Sequence, residues 1–285
     1  MSEFSVLISI YRKENPTWFR EALDSIFAQT LQPVEIVLVE DGPLTPELYA
    51  VIDEYQQEYP IFNIVKNKTN LGLGLALRNG VEAATTDILV RMDTDDIIPE
   101  YRFEHQLKKI EEGYDVVSCW AQLFMDNFNN VIAVKTRPEH HDDIIKLAHK
   151  RSPICHAGTV FRKSALMKAG NYQHYKLYED YHLVARLIMS GAKFYNVQEI
   201  LYYVRVTPEQ MNRRSGIDYL KTELSFFKEF KKMGFFSTKD YLLNSTIRIV
   251  IRLMPRGIKK KTERSEERFS RNAETDIVCR LLLEK

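Results

Sequence analysis

The chain has 285 residues, of which 45% are hydrophobic and 28% are charged. This length and balance fit one large domain or two small ones with a sizeable buried core, as in an ordinary globular enzyme. A formal net charge of +1 gives no sign of nucleic-acid binding, and three widely spaced cysteines argue against a disulfide framework or a zinc site and favour a reducing cytoplasm.

The charge is unevenly distributed along the chain. Residues 1–216 carry 24 Lys and Arg against 29 Asp and Glu, whereas residues 217–285 carry 16 against 10. This asymmetry indicates a catalytic body with a basic tail that faces an anionic partner. The N-terminal residues do not form a signal peptide, and no run reaches the roughly 18 apolar residues that span a bilayer. We expect a cytoplasmic protein, with peripheral contact to the inner face of the membrane.

Short apolar runs alternate with amphipathic stretches over the first 110 residues. The pattern predicts strands at 4–11, 34–41, 62–67 and 87–93, and helices at 15–30, 45–59, 73–84 and 99–113. Strands and helices that alternate in this way form βαβ units, with a parallel sheet covered by helices on both faces.

The pattern changes after residue 114. We predict strands at 115–125, 131–137, 156–161, 193–197 and 200–206, and helices near 141–150, 163–170 and 178–191. The residues "DNFNN" read as a turn between the first two of these strands. No linker is apparent before the end of the body, so we predict one domain over 1–215 and a helical basic extension over 216–285.

An acidic turn follows the fourth predicted strand, in "RMDTDDIIP". Asp93, Asp95 and Asp96 lie within four positions, and like charges this close repel unless a cation lies between them. They either form a capped turn before the next helix or hold a divalent metal that carries a phosphorylated ligand. Ligands of parallel sheets bind at the carboxyl ends of the strands, which favours the second interpretation.

Two further motifs carry candidate chemistry. "NLGLGLALRNG" places Gly72 and Gly74 where a loop enters a helix. The two glycines either lie at a helix N-terminus that binds an anion or only allow the loop to bend. The spacing of this motif matches neither a dinucleotide fingerprint nor a phosphate loop. "YEDYHL" places Glu179 and Asp180 at a helix start, where they either stabilise the helix dipole or include a general base.

In this order, the motifs resemble the inverting family 2 glycosyltransferases of the GT-A fold, over about residues 1–210. "VLVEDGPLT" is similar to that family's nucleotide-binding second strand, "NLGLGLALRNG" to its phosphate-side loop, "RMDTDDI" to its DxD motif and "YEDYHL" to its catalytic-base motif. The resemblance is greatest to the branch that builds bacterial capsule, exopolysaccharide and O-antigen. It implies an α/β fold with a Rossmann-like mixed, mainly parallel sheet flanked by helices.

The resemblance also implies roles for individual residues. Donor binding falls to Ile10, Tyr11, Asp41, Arg78, Asp93 and Asp95. Asp95 and Asp93 are the implied ligands of Mn²⁺ or Mg²⁺. Asp180 is the implied base, with Glu179 as the alternative. His156 and Gly158, in "HAGTVF", are expected on the acceptor side, where small residues let a substrate approach the backbone.

The implied activity is a metal-dependent hexosyl transfer with inversion. A nucleotide-sugar, with a UDP-sugar favoured by analogy, would give a single sugar to a saccharide acceptor, often lipid-linked. The sequence lacks a QxxRW-like motif, which favours single addition over polymerisation. A nucleotidyltransferase and a non-catalytic binding module remain as alternatives, although "SIYRKENP" lacks the glycine-rich, lysine-bearing signature of the former.

The segment 241–261 is a candidate membrane contact. It contains no acidic residue, and its apolar stripe is predicted to comprise Leu243, Ile247, Val250, Ile251 and Met254. A basic amphipathic helix of this kind either lies on an anionic membrane surface or packs on the domain with a solvated basic end.

Overall fold

A computed structural model of the chain describes residues 2–125, 127–175, 177–207 and 217–253. The strands are β1 (Ser5–Ile10), β2 (Glu35–Asp41), β3 (Phe62–Asn67), β4 (Ile88–Met92), β5 (Val116–Met125), β6 (Asn127–Lys135), β7 (Val160–Arg162) and β8 (Phe194–Arg205). The helices are α1 (Pro16–Phe27), α2 (Pro46–Glu58), α3 (Leu73–Ala83), α4 (Arg102–Glu111), α5 (His141–Ala148), α6 (Lys163–Lys168), α7 (Glu179–Met189), α8 (Ile217–Lys232) and α9 (Thr238–Leu253). The alternation predicted for the first 110 residues is confirmed.

The first two helices begin at the predicted capping residues. Asn15 Oδ1 accepts hydrogen bonds from the backbone N–H groups of Thr17 at 2.8 Å and Trp18 at 3.3 Å. Thr45 Oγ1 accepts from Leu48 N–H at 3.4 Å at the start of α2. Each cap satisfies donors that have no partner inside the helix, so the sequence fixes where these helices start.

The strands form one mixed sheet in the order β3-β2-β1-β4-β7-β5-β6, with β8 paired to β5. The pairs β3–β2, β2–β1, β1–β4 and β5–β8 are parallel, whereas β7 is antiparallel to both of its neighbours and β6 to β5. The predicted fold class, a mainly parallel mixed sheet flanked by helices, is confirmed.

Both faces of the sheet are covered by helices. Ile8 and Leu38 point to one face and pack with residues of α1, α2 and α4. Leu7 and Val37 point to the other face and pack with residues of α3, α6 and α7. Because successive strand residues point to opposite faces, the continuous apolar runs of β1 and β2 fill both layers of the core.

Three predictions about the second half of the chain were wrong. The residues after 126 belong to a strand rather than a turn, because β6 already begins at Asn127. His156–Gly158 forms a 3₁₀ turn, and only Val160 onward is a strand. The two late strands are a single strand, β8, because a bulge takes up the two polar residues 198–199 that interrupt its apolar pattern.

The C-terminal helices pack on the body. Phe226 and Phe230 of α8 are buried in a cluster with Tyr178 and Tyr181, which lie at the start of α7. The predicted boundary near residue 215 falls outside the described residues. The division into 1–215 and 216–285 therefore stays a prediction.

Gly80 gives a test of how closely α3 packs on the sheet. A Cβ at this position would overlap Leu7 Cδ1 and lie 2.8 Å from Val39 Cγ2. In a helix interior, Gly to Ala normally stabilises by about 0.5–1 kcal/mol, but overpacking a core costs about 1–3 kcal/mol. We expect Gly80→Ala to lower the free energy of unfolding in urea, with Glu82→Ala on the exposed face as the control. A more stable Gly80→Ala protein would contradict the close packing of α3 on the sheet.

Candidate functional site

The carboxyl ends of the parallel strands meet at one edge of the sheet. Ile10, at the end of β1, pairs in register with Glu40 of β2, and Ile8 pairs with Met92 at the end of β4. Asp93 follows Met92 directly. The residues predicted to bind the donor at the ends of these three strands therefore lie along the same edge.

Three carboxylates gather at the end of β4. Asp93, Asp95 and Asp96 can each offer an oxygen within 4.8 Å of the other two. Asp96 is only 3% exposed, and its burial, followed by the charges of Asp95 and Asp93, raises the pKa of its carboxyl well above the usual range. The cluster therefore concentrates negative charge that a cation would stabilise.

The acidic turn is held by β8 rather than by the helix that follows it. Arg205 donates from its backbone N–H to Asp96 Oδ1 at 2.8 Å and from Nε to the Asp95 carbonyl at 3.0 Å. Asp93 N–H donates to Tyr202 Oη at 3.0 Å. Helix α4 has Tyr101 at its N-cap position, with no side-chain capping bond. Among the described hydrogen bonds, none joins these carboxylates to the start of α4, and a metal role for them stays a prediction.

Arg91 is a site residue that the sequence interpretation missed. It is 1% exposed, and its Nη1 lies 2.5 Å from Asp93 Oδ2. Residues two apart on a strand point to the same face, so a basic residue two positions before Asp93 within an apolar strand was the available signal. The buried guanidinium therefore offsets the negative charge of Asp93.

Glu14 is a second residue that the sequence interpretation missed. Burial, followed by the charge of Asp95, raises the pKa of its carboxyl to about 7, although Thr94 opposes the shift through a hydrogen bond. Glu14 comes from the β1–α1 loop, where an acidic residue carries no distinguishing pattern. It adds another carboxyl group beside the acidic turn, one whose neutral form is favoured by burial and by its acidic neighbours.

Asp41 holds the glycine-containing loop. Its Oδ1 accepts from Leu71 N–H at 2.8 Å and from Asn67 Nδ2 at 3.0 Å, and its Oδ2 accepts from Gly72 N–H at 2.9 Å. Gly72 has a φ of 86°, which favours glycine. Asp41 therefore shapes the entrance to α3, and its direct contact with a donor stays a prediction.

Arg78 lies apart from the acidic cluster. Its Nε is 3.0 Å from Glu82 Oε1, one turn further along α3, and both side chains are about half exposed. Within the described residues, no ion pair joins Arg78 to the carboxylates at the end of β4. Its predicted contact with the donor would require the side chain to leave Glu82.

The predicted base motif, Glu179 and Asp180, lies against the start of α3. A Cβ on Gly74 would be 3.2 Å from Glu179 Cβ and 2.8 Å from the Gln173 carbonyl, so only glycine allows this approach. Burial, and then the charge of Asp180, raises the pKa of Glu179 to about 7, while Arg91 opposes the shift. The structure thus brings the glycine loop, the buried arginine and the acidic pair into one neighbourhood.

The acceptor-side candidates lie beneath this edge. His156 Nε2 is 2.7 Å from Tyr172 Oη, and burial, together with the charge of Arg91, holds the pKa of the imidazole well below its usual range. A Cβ on Gly158 would lie 3.0 Å from Tyr202, so the residue that approaches this glycine is a tyrosine. His156 is therefore neutral, and acceptor contact by either residue stays a prediction.

Comparison with known proteins shows which family and which folds the chain is similar to. The profile of the family described as Glycosyl transferase family 2 matches residues 5–170. The chain is 38% identical over 255 residues to the amylovoran biosynthesis glycosyltransferase AmsE of Erwinia amylovora, covering 88% of this chain and 94% of that protein. It is 35% identical over 255 residues to an Escherichia coli UDP-Gal:alpha-D-GlcNAc-diphosphoundecaprenol beta-1,3-galactosyltransferase, covering 89% and 92%.

Solved structures share the fold at low sequence identity. TarS of S. aureus in complex with UDP-GlcNAc superposes with a TM-score of 0.64 at 16% identity, covering 87% of this chain and 72% of that one. Mannosyltransferase PcManGT from Pyrobaculum calidifontis, in complex with GDP-Man and Mn2+, gives 0.60 at 17% identity, covering 81% and 64%. These likenesses extend the agreement from sequence to architecture.

Proposed function

Because this chain belongs to glycosyl transferase family 2, we propose that it transfers a single hexose from a UDP-sugar to a lipid-linked saccharide, with inversion and with a divalent metal. The observation that carries this proposal is the contact between the start of α3 and Glu179, which joins the donor loop to the base motif. Membership of this family removes the nucleotidyltransferase alternative.

The acidic turn fits a divalent metal. Mg²⁺ and Mn²⁺ prefer oxygen ligands and are often held by one or two carboxylates together with substrate phosphates. Asp95 and Asp93 would hold the ion, and the third carboxylate of the cluster would support them. When bound, the ion supplies positive charge to the diphosphate of the leaving nucleotide.

The remaining chemistry falls to the acidic pair at the start of α7. Asp180, with Glu179 as the alternative, takes the proton of the acceptor hydroxyl as that oxygen bonds to the anomeric carbon of the donor. The bond from the anomeric carbon to the diphosphate breaks on the opposite face. An α-linked donor therefore gives a β-linked product and a free nucleoside diphosphate.

The donor and acceptor classes are supported by the relatives rather than by the fold. The E. coli relative, at 35% identity, is named for UDP-Gal and a GlcNAc-diphosphoundecaprenol acceptor. The fold neighbours are bound to UDP-GlcNAc in one case and GDP-Man in the other, so the architecture alone does not select the base.

A transfer assay tests the proposal. Purified protein with Mn²⁺, UDP-galactose or UDP-N-acetylglucosamine, and a synthetic GlcNAc-diphosphate lipid should release UDP and form a β-linked disaccharide on the lipid. GDP-mannose serves as the control donor. An α-linked product would contradict inversion, and transfer from GDP-mannose alone would contradict the UDP assignment.

We also propose that α9 touches an anionic membrane. Its exposed side carries Leu242, Leu243 and Ile249, whereas Ile247 is buried and Arg248 pairs with Glu223 of α8 at 3.2 Å. The predicted stripe is therefore partly wrong, because Ile247 belongs to the packed face. Met254 and the basic residues after it lie outside the described residues. Among those described, no helix combines the length and the apolar composition that a membrane crossing requires.

Sedimentation with phosphatidylglycerol vesicles tests the membrane contact of α9. Leu242→Ser should sediment with the vesicles less than the wild type does, and equal sedimentation of the two proteins would contradict the contact.

The raised pKa of Glu179 predicts a pH dependence. Burial and Asp180 favour its neutral form, Arg91 opposes this and Asp93 adds to it, and the resulting pKa is about 7. Because an ionised Glu179 places a second negative charge beside Asp180 and so increases the proton affinity of that base, kcat should fall as the pH decreases through about 7. Glu179→Gln should remove this limb of the kcat profile between pH 5.5 and 8.5. A limb that stays unchanged in the variant would assign it to another group.

A further inference from the structure

The start of α7 is not fixed by its local sequence. Its N-cap residue, Tyr178, makes no side-chain capping bond. The residue before it, Leu177, has a φ of 73°, a left-handed conformation that is unfavourable for leucine. Such a turn persists only where the surrounding structure determines it. Glu179 and Asp180 therefore depend on tertiary contacts for their position.

Helix α8 supplies those contacts. The Phe226 ring stacks on the Tyr178 ring, with centroids 4.4 Å apart and planes 18° apart. The Phe230 ring meets the Tyr181 ring edge-on at 4.8 Å. Both phenylalanines are at most 3% exposed. Tyr178 and Tyr181 flank the acidic pair directly, so α8 holds both ends of the turn that carries it.

The opposite side of the same turn is held by α3. Gly74 approaches Glu179 so closely that a Cβ would lie 3.2 Å from its Cβ. The acidic pair is therefore enclosed between the helix of the donor loop and α8. A shift of α8 would move the carboxylates relative to the donor loop.

Helix α8 is anchored in turn by α9. Glu223 of α8 and Arg248 of α9 form an ion pair in which the Glu223 side chain is 5% exposed and the Arg248 side chain 20%. Asn244 Nδ2 donates to the His149 carbonyl of the body at 2.9 Å. The C-terminal helix pair is thus a continuous support for the base motif.

We propose that Phe226 and Phe230 are positioning residues for the catalytic base, which makes α8 part of the catalytic unit. This inference rests on the proposed function, since it takes Glu179 and Asp180 as the base motif. The stacked ring keeps the carboxylate at the distance that the acceptor hydroxyl requires. A misplacement of about 1 Å can cost about 100-fold in rate.

The experiment compares two leucine variants of the full chain. Phe226→Leu removes the ring that stacks on Tyr178. Phe235→Leu is the matched control, because Phe235 is 5% exposed in the same cluster but has its ring contacts with Phe230, Phe236 and His149. Each variant is measured for thermal midpoint, UDP affinity, kcat with UDP-galactose and the GlcNAc-diphosphate lipid, and hydrogen exchange of peptides over 177–185.

Phe226→Leu should speed hydrogen exchange over 177–185 and lower kcat by about 10- to 100-fold, with UDP affinity unchanged. Phe235→Leu should lower the thermal midpoint by a comparable amount, but it should leave both the hydrogen exchange over 177–185 and kcat unchanged. Phe226→Tyr, which keeps the ring, should restore most of kcat. Phe226→Met is a milder replacement that serves the same comparison if the leucine variant does not fold.

The outcomes separate this inference from the proposed function. Equal exchange and equal kcat in Phe226→Leu and Phe235→Leu would overturn the positioning role and leave the base assignment intact. Faster exchange in Phe226→Leu with unchanged kcat would overturn the base assignment, and with it the catalytic part of this inference. Loss of UDP affinity in Phe226→Leu would also overturn it, because the effect would then be on the donor.

Discussion

Asp95→Ala is expected to abolish the Mn²⁺-dependent part of UDP binding. Asp95 lies at the centre of the acidic turn, and Arg91 already neutralises its neighbour Asp93. Even residues that only support a metal ligand cost about 10- to 100-fold in affinity when they are replaced, so loss of a ligand should cost at least about 100-fold. Calorimetric titration of UDP with and without Mn²⁺ measures this difference.

Asp53→Ala is the control for Asp95→Ala, since it removes the same charge from an exposed position on α2. It should bind UDP and Mn²⁺ as the wild type does. If Asp95→Ala keeps the metal dependence of UDP binding, the ion is not held by the end of β4. The acidic turn would then have another role.

Asp180→Asn should abolish sugar transfer and spare nucleotide binding. General base catalysis typically contributes about 10²- to 10⁴-fold, and we expect a loss of kcat in that range. The replacement is nearly isosteric, and its amide oxygen can still accept the hydrogen bond that Asp180 Oδ1 receives from Tyr181 N–H at 2.7 Å. Steady-state kinetics alongside UDP titration separates kcat from binding.

Asp142→Asn serves as the control for Asp180→Asn, because Asp142 is an exposed acidic residue in the first turn of another helix. It should leave kcat unchanged, which would show that the loss of an acidic residue from the first turn of a helix does not by itself lower kcat. Full activity of Asp180→Asn would reject its assignment as the base. If Glu179→Gln were then inactive, the neighbouring carboxylate would take over the role.

The sequence predicted the fold where local patterns decide it. The apolar runs of β1 and β2 and the capping residues Asn15 and Thr45 act through neighbours in the chain, and they placed the first half of the sheet. The late strands were harder, because the bulge in β8 is decided by its pairing with β5. A polar interruption in a strand reads as a break when its partner strand is unknown.

The positions of some candidate site residues in the fold could also be predicted from the sequence. "DTDD" and "YED" stand at a strand end and a helix start, so their position could be read directly. The burial of Arg91 beneath Asp93 could not, because a basic residue inside an apolar strand shows neither its depth nor its partner. The hydrogen bonds that Asp41 accepts from the loop at 67–72 likewise depend on where that loop, distant in the sequence, lies in the fold.

The exposed side of α9 shows the limit of helical periodicity. The sequence places apolar residues on more than one side of this helix, and the pattern alone does not show which side packs. Ile247 is 5% exposed, whereas Leu242 is 57% exposed. The contacts of α9 with α8 and with the body at His149 make that choice, and the pattern within α9 does not show them.

The most direct test of a metal-dependent nucleotide-sugar site is a nucleotide panel. Thermal stability is measured with UDP, GDP, dTDP, CMP and ADP, each with and without Mn²⁺. A ligand at 100 times its Kd adds about 2.7 kcal/mol to the free energy of unfolding. We predict a shift with UDP that requires Mn²⁺. Stabilisation by GDP or ADP in place of UDP, or no stabilisation by any of the five, would contradict the proposed donor site.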